Sequence, residues 1–146
     1  MRAAFLLDVN VLIAMAWPAH ADHQKVLAWL ARNARAGWAT CPITQSGFVR
    51  ILSNPSFSPN APTTQEALQL LQANLAHPLH SFWGDELSLP DALKIISARL
   101  SGPRQVTDAY LLGLAGHKGA KLATMDRTLA ELSSEKISAR EFIELI

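Results

Sequence analysis

Short apolar runs alternate along the chain with segments whose apolar residues recur at helical spacing. Four such runs predict buried strands, at residues 3–7, 38–41, 80–83 and 121–124. Between them the spacing i, i+3 and i+4 predicts helices, as where Val26, Leu27 and Leu30 share one face. Strands that alternate with helices predict an α/β fold with a mainly parallel sheet.

Capping residues and breakers set the limits of the predicted helices. Asp22 and Thr64 are predicted N-caps, and Thr107 is predicted to cap the helix that begins with Asp108. Residues 53–63 contain three prolines and are predicted to form a loop, with a plain mobile loop favoured over a lid that covers the substrate. The predicted helices cover residues 10–15, 22–35, 42 or 44 to 52, 64–75, 89–100, 107–117 and 139–145.

The composition is typical of one folded domain, expected to cover residues 1–146 because domains contain roughly 150 residues. Apolar residues make up 49% and charged residues 17%, which excludes global disorder. A net charge of +1 excludes a polybasic arm for nucleic acid. The most apolar run, residues 3–17, is too short for a membrane span and has Asp8 near its centre. We therefore expect no membrane association, and we expect a cytoplasmic location.

Three aspartates in apolar surroundings are the chemically informative residues. Asp8 directly follows the first predicted strand, and Asp126 follows the strand at 121–124 after one residue. Because the carboxyl ends of parallel strands meet at one edge of a sheet, both carboxylates are expected there. Asp108 opens the predicted helix at 107–117, at the end of its core-facing stripe.

Three clustered carboxylates repel one another, so at least one pKa rises unless a cation is present. A hard divalent ion relieves this repulsion, and Mg²⁺ is commonly held by one or two carboxylates, waters and a substrate phosphate. Such a site hydrolyses phosphodiesters without a side-chain nucleophile. Taken singly, each aspartate is better explained as a cap or turn residue. The combination of three favours a metal site.

Four pieces of the sequence together resemble the PIN-domain family, and within it the VapC-type toxins of bacterial toxin–antitoxin pairs. They are FLLDVNVLIAMAW at 5–17, CPITQSGFVRIL at 41–52, VTDAYLLGLAGHKGAKLATMD at 106–126 and the Arg127 that follows. The third piece is the most specific, because a helix and a strand separate its two aspartates at the spacing found in the family.

The resemblance implies an α/β/α sandwich and an endoribonuclease that uses Mg²⁺ or Mn²⁺ to cleave RNA. It also implies a homodimer that is inhibited by a cognate VapB-type antitoxin. Asp8, Asp108 and Asp126 match the catalytic, metal-binding acids of the family, and Asn10 matches a polar residue that supports the first acid. We expect the antitoxin to cover the apolar surface at residues 10–35 and to bring a cation close to the aspartates.

One position departs from the family pattern. The family usually has a glutamate three residues after a threonine in the third predicted helix, and here Thr44 is followed by Gly47. Thr44, Gln45 and Ser46 are the supporting candidates on this segment, and Gln45, Ser46 or a water is expected to supply the missing oxygen. Glycine inside a helix costs about 1 kcal/mol relative to alanine, so Gly47 is expected to serve a close approach.

Other polar residues have weaker claims. Arg127, next to the last aspartate, is expected either to pair with a carboxylate or to contact a phosphate. The histidine pairs His20/His23 and His77/His80 are predicted to be surface or turn residues, because a zinc site needs three or four ligands.

Two rival interpretations stay open from the sequence alone. One is a catalytically eroded PIN module that binds RNA or a protein partner, which the missing glutamate favours. The other is a metal-dependent phosphatase or DNase that uses the same carboxylates, since no residue that reads a 2′-hydroxyl is identifiable.

Overall fold

A five-stranded sheet forms the centre of the computed structural model, which describes residues 2–132 and 139–146. The sheet order is β3-β2-β1-β4-β5, and every neighbouring pair is parallel. The prediction of an α/β fold with a mainly parallel sheet is therefore confirmed. The strands are β1 (Phe5–Leu7), β2 (Trp38–Thr40), β3 (His80–Phe82), β4 (Lys121–Thr124) and β5 (Ile143–Leu145).

The α-helices of the described residues lie between these strands in chain order. Among the described residues, none of these helices has the length and apolarity needed to cross a bilayer. They are α1 (Val9–Ala16), α2 (His23–Asn33), α3 (Pro42–Leu52), α4 (Thr64–Leu75), α5 (Leu89–Ile95) and α6 (Val106–His117).

Helices cover both faces of the sheet, which gives the expected α/β/α sandwich. On one face, α1 to α4 pack in a core that includes Leu7 and Ala123 from the central strands. On the other face, α5 and α6 pack in a second core with Leu6 and Leu122. Successive strand residues thus alternate between two apolar layers, which is why the strands read as continuous apolar runs.

The central pair, β1 and β4, is where the chain changes face. After β1 it enters α1 on one face of the sheet, whereas it reaches β4 from α6 on the other face. The carboxyl ends of β1 and β4 therefore border a crevice, the usual place for ligands in open parallel sheets.

Two predicted caps are shifted. Thr63, and not Thr64, caps α4: its hydroxyl accepts from the Glu66 N–H, and the Glu66 carboxylate accepts from the Thr63 N–H. The prediction that Thr107 caps α6 is wrong, because the helix begins at Val106 without a side-chain cap. One or two residues of error at a helix end are usual when several polar residues adjoin.

The helix predicted at 89–100 is too long. The observed α5 ends at Ile95, and Ser97 adopts a left-handed φ of +47°. The Ala98 N–H then bonds to the Leu93 carbonyl, a common way to satisfy a helix end. Gly113 allows close packing of α6 on α5, since a Cβ there would lie 2.3 Å from the Ala92 carbonyl oxygen.

The helix predicted at 139–145 is wrong. Ala139–Phe142 forms a 3₁₀ turn, and Ile143–Leu145 adds β5 to the free edge of β4. A short helix is marginal on its own, whereas strand pairing satisfies the backbone groups of an open sheet edge. The long-range partner therefore determines the structure of this segment.

Candidate active site

A cavity of about 320 Å³ opens at the carboxyl ends of β1 and β4. All three predicted aspartates line it, together with the predicted supporting residue Asn10. The structure thus brings together one residue from the end of β1, one from the first turn of α6 and one from the loop after β4. The cavity is lined by Asp8, Val9, Asn10, Ile13, His20, Ile51, Phe57, Asp108 and Asp126.

Asp8 is the most buried of the three, with 7% of its surface exposed. It caps α1: Oδ1 accepts from the Val9 N–H at 2.8 Å, and Oδ2 accepts from the Thr124 hydroxyl at 2.8 Å. Burial raises the pKa of Asp8 above its usual 3.8. Its two hydrogen bonds oppose that rise in pKa, and the charge of Asp126 adds to it. A capping role and a site role therefore coexist in this residue.

Thr124 links the polar residues of this sheet edge, although sequence reasoning did not select it. Its hydroxyl donates to Asp8 and accepts from the Asp126 N–H at 3.1 Å and from the Asn10 side-chain amide at 3.5 Å. These three bonds use the one donor and both acceptor positions of a hydroxyl. The only available signal was a polar residue at the end of a buried strand.

Asn10 also supports the segment after β4. Its side-chain oxygen accepts from the Met125 N–H at 3.4 Å. Because Asn10 lies on α1 and Met125 follows β4, this bond ties the two flanks of the crevice together.

Asp108 lies in the first turn of α6 and is partly exposed to the cavity. Burial is the largest cause that raises its pKa from 3.8 to about 6, and the charges of Asp8 and Asp126 contribute next. No described residue donates a hydrogen bond to its carboxylate. It is therefore the acid of this cluster with the greatest need of a cation.

Asp126 is anchored by a local turn. Its Oδ1 accepts from the Thr128 N–H at 2.9 Å and from the Thr128 hydroxyl at 2.7 Å. Both bonds use the same oxygen, so Oδ2 remains available to a ligand. The neighbouring Arg127 is exposed and lines a second cavity of about 380 Å³ that shares Asp126 and also contains Arg140.

The supporting candidates on α3 lie outside the acidic cavity. Thr44 is fully buried, and its hydroxyl bonds to the backbone of Cys41 at the start of the helix. Gln45 donates to the Thr40 hydroxyl, which contacts His80 in turn, and Ser46 is exposed. None of the three lines the cavity.

Gly47 is required by the packing of α3 on α1. A Cβ at this position would lie 2.8 Å from Cγ2 of Val9, closer than side chains tolerate. Valine has one strongly preferred rotamer in a helix and does not turn away easily. The expected close approach at Gly47 is thus to a side chain of α1, and a glutamate there would require α1 and α3 to separate.

Five lining residues were not recognised from the sequence as site residues: Val9, Ile13, His20, Ile51 and Phe57. His20 follows α1, Ile51 is a partly buried residue in the last turn of α3, and Phe57 lies in the proline-rich loop. Loop residues carry no periodic signal, so sequence reasoning assigned His20 to the surface and the loop to mobile chain.

Among the described residues, no three acidic, histidine or cysteine side chains are placed to hold a metal ion jointly. Mg²⁺ needs only one or two carboxylates and completes its shell with water and phosphate, so part of the acidic cluster would be enough to hold it. The chemistry of the donor set also fits, because it consists of carboxylate oxygens with a side-chain amide close by.

Comparison with known proteins identifies the family of the chain. Residues 5–135 match the PIN domain family. The chain is similar to Ribonuclease VapC38 of Mycobacterium tuberculosis (strain ATCC 25618 / H37Rv), with 42% identity over 90% of this chain and 91% of that protein. It is also similar to Ribonuclease VapC39 of the same strain, with 40% identity over 88% of this chain and 93% of that protein.

Among solved structures, the chain resembles a chain of VapBC2 from Rickettsia felis, solved bound to a DNA fragment from their promoter. The TM-score is 0.58 at 13% identity, over 97% of this chain and 98% of that one. At this identity the similarity concerns the fold.

The raised pKa of Asp108 predicts a pH-dependent stability difference between the wild type and Asp108→Asn. In the unfolded state Asp108 loses its proton near pH 4, but in the folded state near pH 6. Its contribution to stability is therefore lost as pH rises through this range. Without metal, we expect Asp108→Asn to melt a few degrees above the wild type at pH 7.5 and close to it at pH 4.

Thermal unfolding in the presence of a chelator measures this difference. Asp91→Asn is the matched control, because Asp91 occupies the same first-turn position on α5 and is exposed. A Tm difference for Asp108→Asn that does not change with pH would contradict the raised pKa.

Proposed function

Because the chain belongs to the PIN domain family and to its VapC-type ribonucleases, we propose that Asp8, Asp108 and Asp126 are the catalytic acids that hold its divalent metal ion. The chain is a VapC-type endoribonuclease toxin. The observation that supports this site is the convergence of three carboxylates in one cavity at the switch point of the sheet. The proposed ion is Mg²⁺, for which Mn²⁺ can substitute.

The chain's own residues prepare this site for an ion and a phosphate. Thr124 and the Val9 N–H fix both oxygens of Asp8, and Thr128 orients Asp126 through one oxygen. Asp108 has no such partner and supplies the carboxylate that a cation neutralises most favourably. When bound, the ion would polarise the phosphoryl oxygen, promote the attack of water and stabilise the leaving oxygen.

Arg127 and Asn10 have supporting roles in this proposal. Asn10 ties α1 to the chain after β4 and so keeps Asp8 and Asp126 close. Arg127 is exposed at the cavity that adjoins Asp126, where its guanidinium would meet a backbone phosphate of the RNA.

Replacing each aspartate by asparagine tests the assignment. We expect Asp8→Asn, Asp108→Asn and Asp126→Asn to lower RNA cleavage by more than the roughly 10–100-fold that loss of an outer-shell partner costs a metal site. The measurement is cleavage of structured RNA with Mg²⁺, Mn²⁺ or chelator. Asp91→Asn should cleave like the wild type.

The same assay separates the rival functions. An eroded binding module would bind RNA without cleaving it in any metal, and a DNase or phosphatase would prefer DNA or a monoester to RNA. A fully active Asp8→Asn, Asp108→Asn or Asp126→Asn variant would show that the replaced residue is misassigned.

Metal binding should also appear as stabilisation of the folded protein. An ion that binds only the folded state raises its stability by about 2.7 kcal/mol at 100 times Kd. We expect Mg²⁺ or Mn²⁺ to raise the Tm of the wild type and of Asp91→Asn, and to have little effect on Asp108→Asn. Equal shifts in all three proteins would indicate non-specific ion effects.

A VapB-type antitoxin is the proposed protein partner. The surface expected to bind it contains an apolar groove of about 540 Å³ between α2 and α4. Trp17, on the same segment, is half-buried and packs in the core, so it offers less surface than an exposed tryptophan would. The groove is lined by Met15, Leu27, Leu30, Ala31, Trp38, Ala73, Asn74, Ala76 and His77.

The groove has the chemistry of a helix-binding site, since its lining is apolar and lies between two helices. The partner is also expected to bring an arginine to the uncompensated carboxylates. The homodimer implied by the family remains a prediction for this chain.

Two leucines with nearly equal exposure test the groove. Leu27, 38% exposed, lines it, whereas Leu68, 39% exposed on α4, does not. We expect Leu27→Asp to lose copurification with a coexpressed VapB-type antitoxin, and Leu68→Asp to retain it. Both variants should still cleave RNA. Equal losses of copurification would place the partner elsewhere.

A further inference from the structure

The cavity that holds the three aspartates has a second chemical character. Besides the polar groups it is lined by the apolar side chains of Val9, Ile13 and Ile51, and by the rings of Phe57 and His20. A site for a metal and a phosphate alone needs only oxygen ligands and cations. The aromatic and apolar wall therefore needs an explanation of its own.

Phe57 is held in place although it lies in a loop rich in proline. Its N–H donates to the Asn54 carbonyl at 2.9 Å, and the Asn54 side chain accepts from both the N–H and the hydroxyl of Ser56. Phe57 is partly buried against the core that includes α1 and α3, and it also lines the cavity. A ring positioned in this way gives a flat apolar face beside the carboxylates.

His20 is also oriented by local hydrogen bonds. Its N–H donates to the Trp17 carbonyl at 3.0 Å, and its ring Nδ1 accepts from the Asp22 N–H at 3.0 Å. Because Nδ1 is an acceptor in this contact, the neutral ring carries its proton on Nε2. No described residue accepts that proton, so Nε2–H is available as a donor at the cavity.

We propose that this wall binds one nucleobase of the RNA, next to the phosphate that is cleaved, with the base stacked on Phe57 and hydrogen-bonded by Nε2–H of His20. The proposal rests on the function proposed above, because it places the cleaved phosphate at the aspartates. Every such phosphate carries a base within one nucleotide on either side. An unstacked base needs an aromatic face and a hydrogen-bond partner for its edge, which this wall provides.

The same features argue against an anionic occupant of the wall. The carboxylates repel anionic groups, whereas a nucleobase is neutral and polarisable. A donor at His20 favours a base that presents an acceptor to it. The wall would therefore contribute to the sequence preference of cleavage, a role that the carboxylates have no means to fill.

A cycle of protein and RNA changes tests the stacking contact. The probe is a short synthetic RNA that contains a site cut by the wild type, made with an abasic nucleotide at each of the two positions that flank the cut bond in turn. At one of these positions we expect the abasic change to lower kcat/KM of the wild type by about 5- to 150-fold. Phe57→Ala should cause a similar loss on the intact RNA.

The decisive result is the combination of both changes. If the base stacks on Phe57, the abasic RNA with Phe57→Ala loses no more than either change alone, because both remove the same contact. Phe57→Tyr should retain activity, since it keeps the ring face. Losses that multiply at both positions would overturn the proposal.

His20 and a matched phenylalanine complete the test. At the position where the abasic change lowers activity, His20→Ala should reduce the ratio of kcat/KM between the preferred base and the other bases by about 2- to 10-fold. Phe82, which is 57% exposed at the end of the edge strand β3, lies outside the cavity, and Phe82→Ala should cleave both RNAs like the wild type. An unchanged base preference in His20→Ala would remove His20 from the proposal.

Thermal unfolding of every variant, measured with and without Mn²⁺, shows whether that variant is folded. A Phe57→Ala variant that unfolds is replaced by Phe57→Leu, which keeps apolar packing and removes the ring. If the wild type cleaves no RNA, the proposed function fails. If it cleaves but the cycle is additive, only the base-binding wall fails.

Discussion

The geometry of the sheet edge that carries the three aspartates depends on the hydrogen bonds of the Thr124 hydroxyl. This hydroxyl joins Asp8, which directly follows the central strand β1, to the backbone of Asp126 and to the amide of Asn10, and in doing so uses its whole hydrogen-bonding capacity. The parallel pairing of β1 and β4 brings the chain ends together, but it does not fix the side chains. Thr124 converts that backbone proximity into an ordered group of oxygens.

The closeness of the three carboxylates lowers the stability of the protein when no cation is bound. Burial and like charges raise the pKa values of Asp8 and Asp108, so ionisation of these carboxylates lowers the stability of the folded chain. Any cation that reaches the cavity relieves this cost and stabilises the fold. A metal ion and an arginine from an inhibitory partner would therefore compete for the same charge, which offers a simple physical route from partner binding to inhibition.

The sequence was sufficient to predict what depends on periodicity. The first four strands, the α/β class and the positions of Asp8, Asp108 and Asp126 relative to those elements all follow from local patterns. Long-range contacts account for the errors: Ile143–Leu145 becomes a strand because the edge of β4 is open to it. Thr124, His20 and Phe57 were not selected, because a polar strand end and two loop residues give no signal until the fold brings them to one cavity.

Gly47 shows how packing can set the composition of a site. Sequence reasoning treated it as a missing ligand to be replaced by Gln45, Ser46 or a water, yet Gln45 donates to the Thr40 hydroxyl and Ser46 is exposed outside the cavity. The glycine lets α3 approach Val9, and Val9 and Ile51 then line the cavity with apolar groups. One acidic group fewer also means less repulsion within the cluster. Because α1 and α3 pack closely, this position has no carboxylate, and the cavity has an apolar wall. This is the wall that we propose binds a nucleobase.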